Sequence, residues 1–208
     1  MSVVRSGPRK VPRQERSRAT VERILEAGAR VLIAYGYDGA STNRIARAAG
    51  VSPGSLYQYF TDKDAITAAV VNRLAEDVSA NISTVFRSMA GRSPEEGTRV
   101  ALTTLVEALA AQADLLRIAV EQVPRFGETD VLAALLARGR DLVYHQLLAN
   151  RSRLRHDDLD TASWFVVQTT TQLAIRYTVD RPPIPVDRFV DELSQLLIHY
   201  VYESTDGA

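Results

Sequence analysis

Cysteine is missing from all 208 residues. No disulfide framework, thiol nucleophile or Cys-ligated zinc site can therefore be built, and the chain is most economically placed in the cytoplasm. Lysine is almost missing too: Lys10 and Lys63 stand beside 23 arginines. His145, His156 and His199 are far apart and lack the spacing of a His-Glu-x-x-His metal site. A glycine-rich phosphate loop is also lacking, since Gly36-Tyr-Asp-Gly39 has the wrong spacing and no lysine. No uncharged apolar run reaches membrane-spanning length. The longest uncharged run, Thr161–Ile175, holds two glutamines and four threonines. The N-terminal arginines are not followed by the apolar stretch of a secretory signal. Asp157, Asp158 and Asp160 cluster at a helix start and read as cap and dipole partners. No catalytic residue, metal site or cofactor is nominated, and the expected chain is not an enzyme.

Basic and acidic side chains balance at 25 each, but they are segregated. Residues 1–64 carry 11 Lys/Arg against 6 Asp/Glu, and residues 65–208 carry 14 against 19. A basic N-terminal module on an acidic remainder fits a protein that touches phosphate at one end. Chance segregation in a neutral protein is the plain alternative.

Residues 41–63 carry the most specific pattern. Ile45, Ala46 and Ala49 share one helical face. Gly50 suits the left-handed position that closes a helix. Ser52 is a good N-cap, with Pro53 at the first helical position, where its missing N–H costs nothing. Leu56 and Phe60 lie four apart and pack inward. Gln58 points away from Leu56, flanked by Gly54 and Ser55, with Tyr57 at the edge of that outward face. Two short helices joined by a tight turn, the second with a small polar outer face, suit a helix-turn-helix reading the major groove.

Gly36 to Gly39, Thr42, Ile45-Ala46, Ala49-Gly50-Val51-Ser52, Gly54, Leu56-Tyr57, Tyr59-Phe60 and Lys63-Asp64 resemble the DNA-binding signature of the TetR family of bacterial regulators. The resemblance covers residues 15–66. It implies an all-α protein of about nine helices: a three-helix, helix-turn-helix DNA-binding domain (17–63) and a helical ligand-binding and dimerisation domain (64–208). It further implies a homodimer acting as a repressor, released from a pseudo-palindromic double-stranded operator by a small-molecule effector. Such a protein is cytoplasmic and joins the nucleoid when bound to DNA, with no membrane partner.

Individual roles follow on the DNA face. Thr42 either meets a phosphate with its hydroxyl or serves as an N-cap. Gly54 lets the backbone approach DNA closely. Tyr57 and Tyr59 match family positions that contact phosphates or nearby bases. Lys63 offers an ammonium to phosphate. Gln58 can bond adenine bidentately and is the expected sequence reader, with Ser55 a weaker candidate. Arg44 meets the backbone or is a solvated surface residue. Ser52 and Pro53 complete the set. Residues 1–16 form a basic arm, expected to be disordered without DNA, that reaches a groove or remains a solvated tail.

Helix one is expected over Ser17–Tyr35, with Ile24, Leu25, Val31, Leu32 and Tyr35 facing the core. A long helix is then expected over about Asp62–Met89. Others follow over 95–111 and Arg117–Gln122, then a loop at Pro124 and Gly127. A 20-residue helix capped by Thr129 comes next, and two more cover about Asp158–Val179 and Val186–Tyr202. Family resemblance implies a pocket within residues 65–180. Gln112, Gln122, Tyr144, Gln168, Gln172 and Thr169–Thr171 interrupt its apolar helices, and Phe86, Phe126 and Trp164 can form walls. Arg117 or Arg176, if buried, would favour a carboxylate. The last two helices carry apolar stripes. Leu159, Val166, Leu173, Phe189, Leu193, Leu196, Leu197 and Tyr200 are the expected dimer residues, or else feed the protomer core. A DNA-organising protein without ligand and a helical enzyme are the competing readings.

Overall fold

The computed structural model describes residues 15–88, 91–126 and 130–203, without the side chains of 15, 16 and 122–135. Of the expected basic arm, residues 1–14 lie outside it, as does Thr129. Nine α-helices run through the described residues: α1 (Glu15–Gly39), α2 (Thr42–Ala49), α3 (Pro53–Tyr57), α4 (Lys63–Arg87), α5 (Pro94–Ala110), α6 (Ala113–Phe126), α7 (Asp130–Ala149), α8 (Leu159–Asp180) and α9 (Val186–Val201). A single 3-10 turn, Arg151–Arg153, precedes α8. No helix among the described residues is long and apolar enough to cross a membrane.

The chain folds as two compact units. The first takes the residues up to Ala75 together with Asp114–Leu132; the second takes Glu76–Ala113 and the residues from Ala133 onward. The division drawn from sequence at residue 63 falls at the start of α4, whereas the units part within that helix.

In the first unit the expected inward rails are buried. Ile24 and Leu32 on α1, Ile45 and Ala46 on α2, and Leu56 and Phe60 around α3 are fully shielded from solvent. Burying each large apolar side chain contributes roughly 1.5–3 kcal/mol. Gly28 lets α1 and α4 approach: a Cβ built there lies 3.0 Å from Ile66 Cγ2 and 3.3 Å from Val70 Cγ2. Gly36 breaks α1 with φ 67° and ψ 174°, as its place after Tyr35 predicts. Tyr35 itself departs from the core reading. It is 56% exposed, and the Arg44 guanidinium lies 4.2 Å from its ring centroid. A large ring beside the break gains more from a cation at the surface than from a core already filled by Val31 and Leu32.

Ser41, not Thr42, caps α2. Its extended backbone (φ −146°, ψ 153°) aims Oγ to accept from Arg44 N–H. Gly50 (φ 64°) ends the helix, and Val51 N–H reaches back to Ala46 O at 3.0 Å. Ser52 Oγ accepts from Ser55 N–H at 3.1 Å, so α3 starts where the Ser-Pro pair predicts. Asp62 Oδ1 accepts from Ala65 N–H at 2.8 Å and starts α4. Pro124, expected in a loop, lies within α6, which continues through Phe126, and Gly127 lies outside the described residues. Pro124 stands in the last turn, where one lost N–H does not end the helix.

One core cluster of the second unit joins α7, α8 and the end of α9. Leu147 of α7, Leu159 and Ala162 of α8, and Val201 and Tyr202 at the end of α9 are buried together, with Tyr144, Leu154, Val166, Ile198 and Tyr200 packed against them. Ser93 caps α5 through Glu96 N–H, and Asp158 caps α8 through Thr161 N–H at 3.0 Å. The segment before α8 pairs with the residues that end α9. Arg155 N–H donates to Val201 O at 3.0 Å, and Glu203 N–H to Arg153 O at 2.9 Å. His156 Nε2 lies 2.7 Å from Tyr200 O, with its ring 4.6 Å from the tyrosine ring.

Candidate nucleic-acid interface

α2 and α3 share a tight turn and bury one face each, so their remaining faces are outward by geometry. Gly54 lies on the exposed side of α3, and a Cβ there meets only Ser52 Oγ, at 3.9 Å. It is not among the glycines with positive φ. Neither backbone conformation nor packing among the described residues asks for glycine here, although glycine costs about 1 kcal/mol in a helix relative to alanine.

Tyr57 is 42% exposed, and its hydroxyl lies 2.9 Å from Thr42 Oγ1. That bond ties the first residue of α2 to the last of α3. Ser52 and Pro53 are exposed; Ser55 and Tyr59 are half-buried. The Ser55 hydroxyl is engaged in the cap, 2.9 Å from Ser52 Oγ, so it is less available to a base than its helical spacing predicts. Gln58 is exposed but follows α3 rather than lying within it. Its φ of −69° and ψ of −26° continue the helical course for one residue and keep the amide on the outer side.

The two cations of the expected face are both held. Arg44 donates to Gly39 O and covers the Tyr35 ring. Lys63 donates to Tyr37 O at 2.9 Å, and its ammonium lies 3.9 Å from the Tyr37 ring centroid. The Tyr37 hydroxyl donates to Asp64 Oδ1. Tyr37 lies in the Gly36–Gly39 part of the family resemblance, which gives it no role of its own. The signal was an aromatic after a helix-breaking glycine, with one of only two lysines 26 positions on.

The residues expected around a pocket are not all placed alike. Arg117 belongs to the first unit; Phe86, Gln112, Tyr144, Trp164, Gln168 and Gln172 belong to the second. Gln112, Trp164 and Gln172 are exposed, while Phe86 and Gln168 are half-buried. Tyr144 packs against the second unit's core. The Phe126 and Gln122 side chains lie outside those described. Arg176 is on the surface, 3.8 Å from Asp180, and carries no weight for a carboxylate. The buried hydroxyls of Ser83 on α4, Thr170 on α8 and Ser194 on α9 have no hydrogen-bond partner.

Of the expected dimer residues, Leu159, Leu193 and Leu197 are buried within the protomer. Val166 and Tyr200 pack against its core, and Phe189 stacks on Tyr177 with ring centroids 4.1 Å apart. The three buried leucines have no area left for a partner, whereas the half-buried Val166, Phe189 and Tyr200 keep part of theirs. Leu173 and Leu196 are different, 41% and 52% exposed, and Trp164 and Phe165 are exposed with them.

Comparison with known proteins bears on both units. Residues 24–70 match the family model described as bacterial regulatory proteins, tetR family. Residues 93–200 match the model of the tetracyclin repressor-like C-terminal domain. The HTH-type transcriptional repressor Rv1474c of Mycobacterium tuberculosis is 37% identical over 57 residues, covering 27% of this chain and 30% of that protein. The HTH-type transcriptional repressor AcnR of Corynebacterium efficiens is 36% identical over 73 residues, covering 33% and 39%. The matches thus span less than half the length of these curated relatives. A solved structure of a candidate TetR-family transcriptional regulator from Mesorhizobium loti superposes with a TM-score of 0.74 at 21% identity, covering 91% of this chain and all of that one.

Proposed function

Because the chain belongs to the tetR family of bacterial regulatory proteins, we propose that it is a homodimeric repressor, released from a pseudo-palindromic operator by a small molecule. The observation that carries the DNA half of this reading is Gly54, an exposed helical glycine that nothing among the described residues requires. Around it, Thr42, Tyr57 and Tyr59 serve the phosphates and Gln58 the base edges, with Lys63 at the margin. Phosphate contacts fix register and affinity, whereas the glutamine amide discriminates by about 1–3 kcal/mol per base pair.

One five-residue recognition helix reads few base pairs, so specificity calls for a second copy related by a two-fold axis. The exposed Trp164, Phe165 and Leu173 of α8 and Leu196 of α9 supply apolar area for that contact. Effector binding falls to the second unit. Its unpartnered buried hydroxyls at Ser83, Thr170 and Ser194 favour an effector with polar atoms as well as apolar bulk. An effector releases DNA only by binding the DNA-competent and released states with different affinity. The chain acts by binding and carries no catalytic step.

The deciding experiment is selection of sheared source-genome DNA on purified protein at near-physiological salt, followed by sequencing. The expected result is a pseudo-palindrome with half-sites about 10 base pairs or a multiple apart. Indiscriminate retention that vanishes steeply with salt would sink the sequence-specific reading in favour of a DNA-organising protein.

A further inference from the structure

Tyr37 falls within the Gly36–Gly39 part of the family resemblance without a role of its own there, and three contacts join it to the start of α4. Its carbonyl accepts from Lys63 Nζ at 2.9 Å. Its ring lies under the same ammonium, 3.9 Å from the centroid. Its hydroxyl donates to Asp64 Oδ1. The ring is thus held at its far end by the residue next to the lysine, while carbonyl and ring face together fix the cation.

An ammonium has three donors and the carbonyl takes one. A lysine on a flexible four-carbon stem surrenders its rotamer freedom when it meets a phosphate, unless that freedom is already gone. A surface cation placed over an aromatic face is held without being neutralised.

We propose that Tyr37 is a positioning residue for DNA binding: it holds the Lys63 ammonium in place at the start of α4, so that its remaining donors meet a backbone phosphate with little further ordering. The proposal rests on the DNA-binding reading of this face. It differs from a role in folding alone, because its effect must pass through Lys63.

The scarcity of lysine makes a direct test practical. Protein grown with 13C-labelled lysine gives two sets of ε-methylene signals, from Lys10 and Lys63. In the wild type the Lys63 set should be displaced upfield by the ring and move when a 30-base-pair duplex of arbitrary sequence is added. Tyr37→Phe should keep the displacement and Tyr37→Met should abolish it.

Binding of the same duplex across a salt series supplies the second readout. Lys63→Ala should lower the slope of log K against log salt by about 0.9 for each phosphate that is no longer neutralised. Tyr37→Met should reproduce part or all of that drop, with a several-fold loss of affinity, and add nothing in the Lys63→Ala background. Tyr37→Phe should restore the slope. A wild-type slope in Tyr37→Met, or a full additional loss in the double variant, would overturn the positioning role. An unchanged slope in Lys63→Ala would instead strike the Lys63 contact itself, and the proposal with it. Should Tyr37→Met unfold, the wild-type spectrum decides: an undisplaced Lys63 signal, or one that ignores the duplex, refutes the proposal.

Discussion

A methyl group added at Gly54 meets nothing closer than 3.9 Å, and alanine is favoured over glycine in a helix by about 1 kcal/mol. Gly54→Ala should therefore leave the melting temperature unchanged or raised while weakening duplex binding at least several-fold, measured by melting and by fluorescence anisotropy. Gain of stability with unaltered DNA affinity would remove Gly54 from the interface. At Gln58 the expected signature is different. Gln58→Ala should relax preference at one base pair per half-site, by about 1–3 kcal/mol against the wrong base, whereas Tyr57→Phe should weaken all sequences alike. Equal losses on operator and random DNA for Gln58→Ala would contradict the first half. The outward set of Gly54, Tyr57 and Gln58 was legible because 100° per residue fixes a face once Leu56 and Phe60 are buried. The engagement of Arg44 by Tyr35 and of Lys63 by Tyr37 was not. Those partners lie 9 and 26 positions away, and a helix break at Gly36 does not by itself say which side chains it brings together.

Helix ends account for much of the local structure, and their chemistry is testable by element. α2 ends at Gly50 in a left-handed conformation, φ 64°. Gly50→Ala should cost about 1–2 kcal/mol even though the new methyl meets no atom within 4 Å, as a fall in chemical-denaturation midpoint. At α8 the Thr161 hydroxyl, and then its N–H, hold the Asp158 carboxyl below the ordinary aspartate range. A carboxyl depressed in the folded state stabilises fully above its unfolded pKa, about 3.9, and loses that contribution as pH falls through the folded value. Asp158→Ala should accordingly melt earlier than wild type at pH 7, with the gap narrowing at pH 3; a gap that widens on acidification would refute the cap. Caps at Ser52 and Asp158 were readable from sequence because the relevant atoms lie within three residues. Ser41 beside Thr42 was not, since either side chain can cap and only backbone extension decides between them.

The molecule as a whole concentrates its positive charge where DNA is proposed to bind and its exposed apolar rings on α8. Leu196→Glu should convert a dimer to a monomer in sedimentation equilibrium without loss of helical signal, because Leu196 is exposed on one chain. A dimer that persists would place the interface elsewhere. Helix number and order could be read in advance. The recruitment of α6 residues to the first unit could not, because an amphipathic helix advertises a buried face but not its neighbour. The short pairing of residues 153–155 with 201–203 escaped for the same reason. It also has a kinetic meaning. Those two amide bonds close a loop of about fifty residues, and loop closure of that span must be met before the contacts return anything. The clip therefore forms late, after α8 and α9 have docked, and once shut it keeps the last turn of α9 from fraying. Hydrogen exchange at Arg155 and Glu203 should then run at one common rate and rise together as a single opening event.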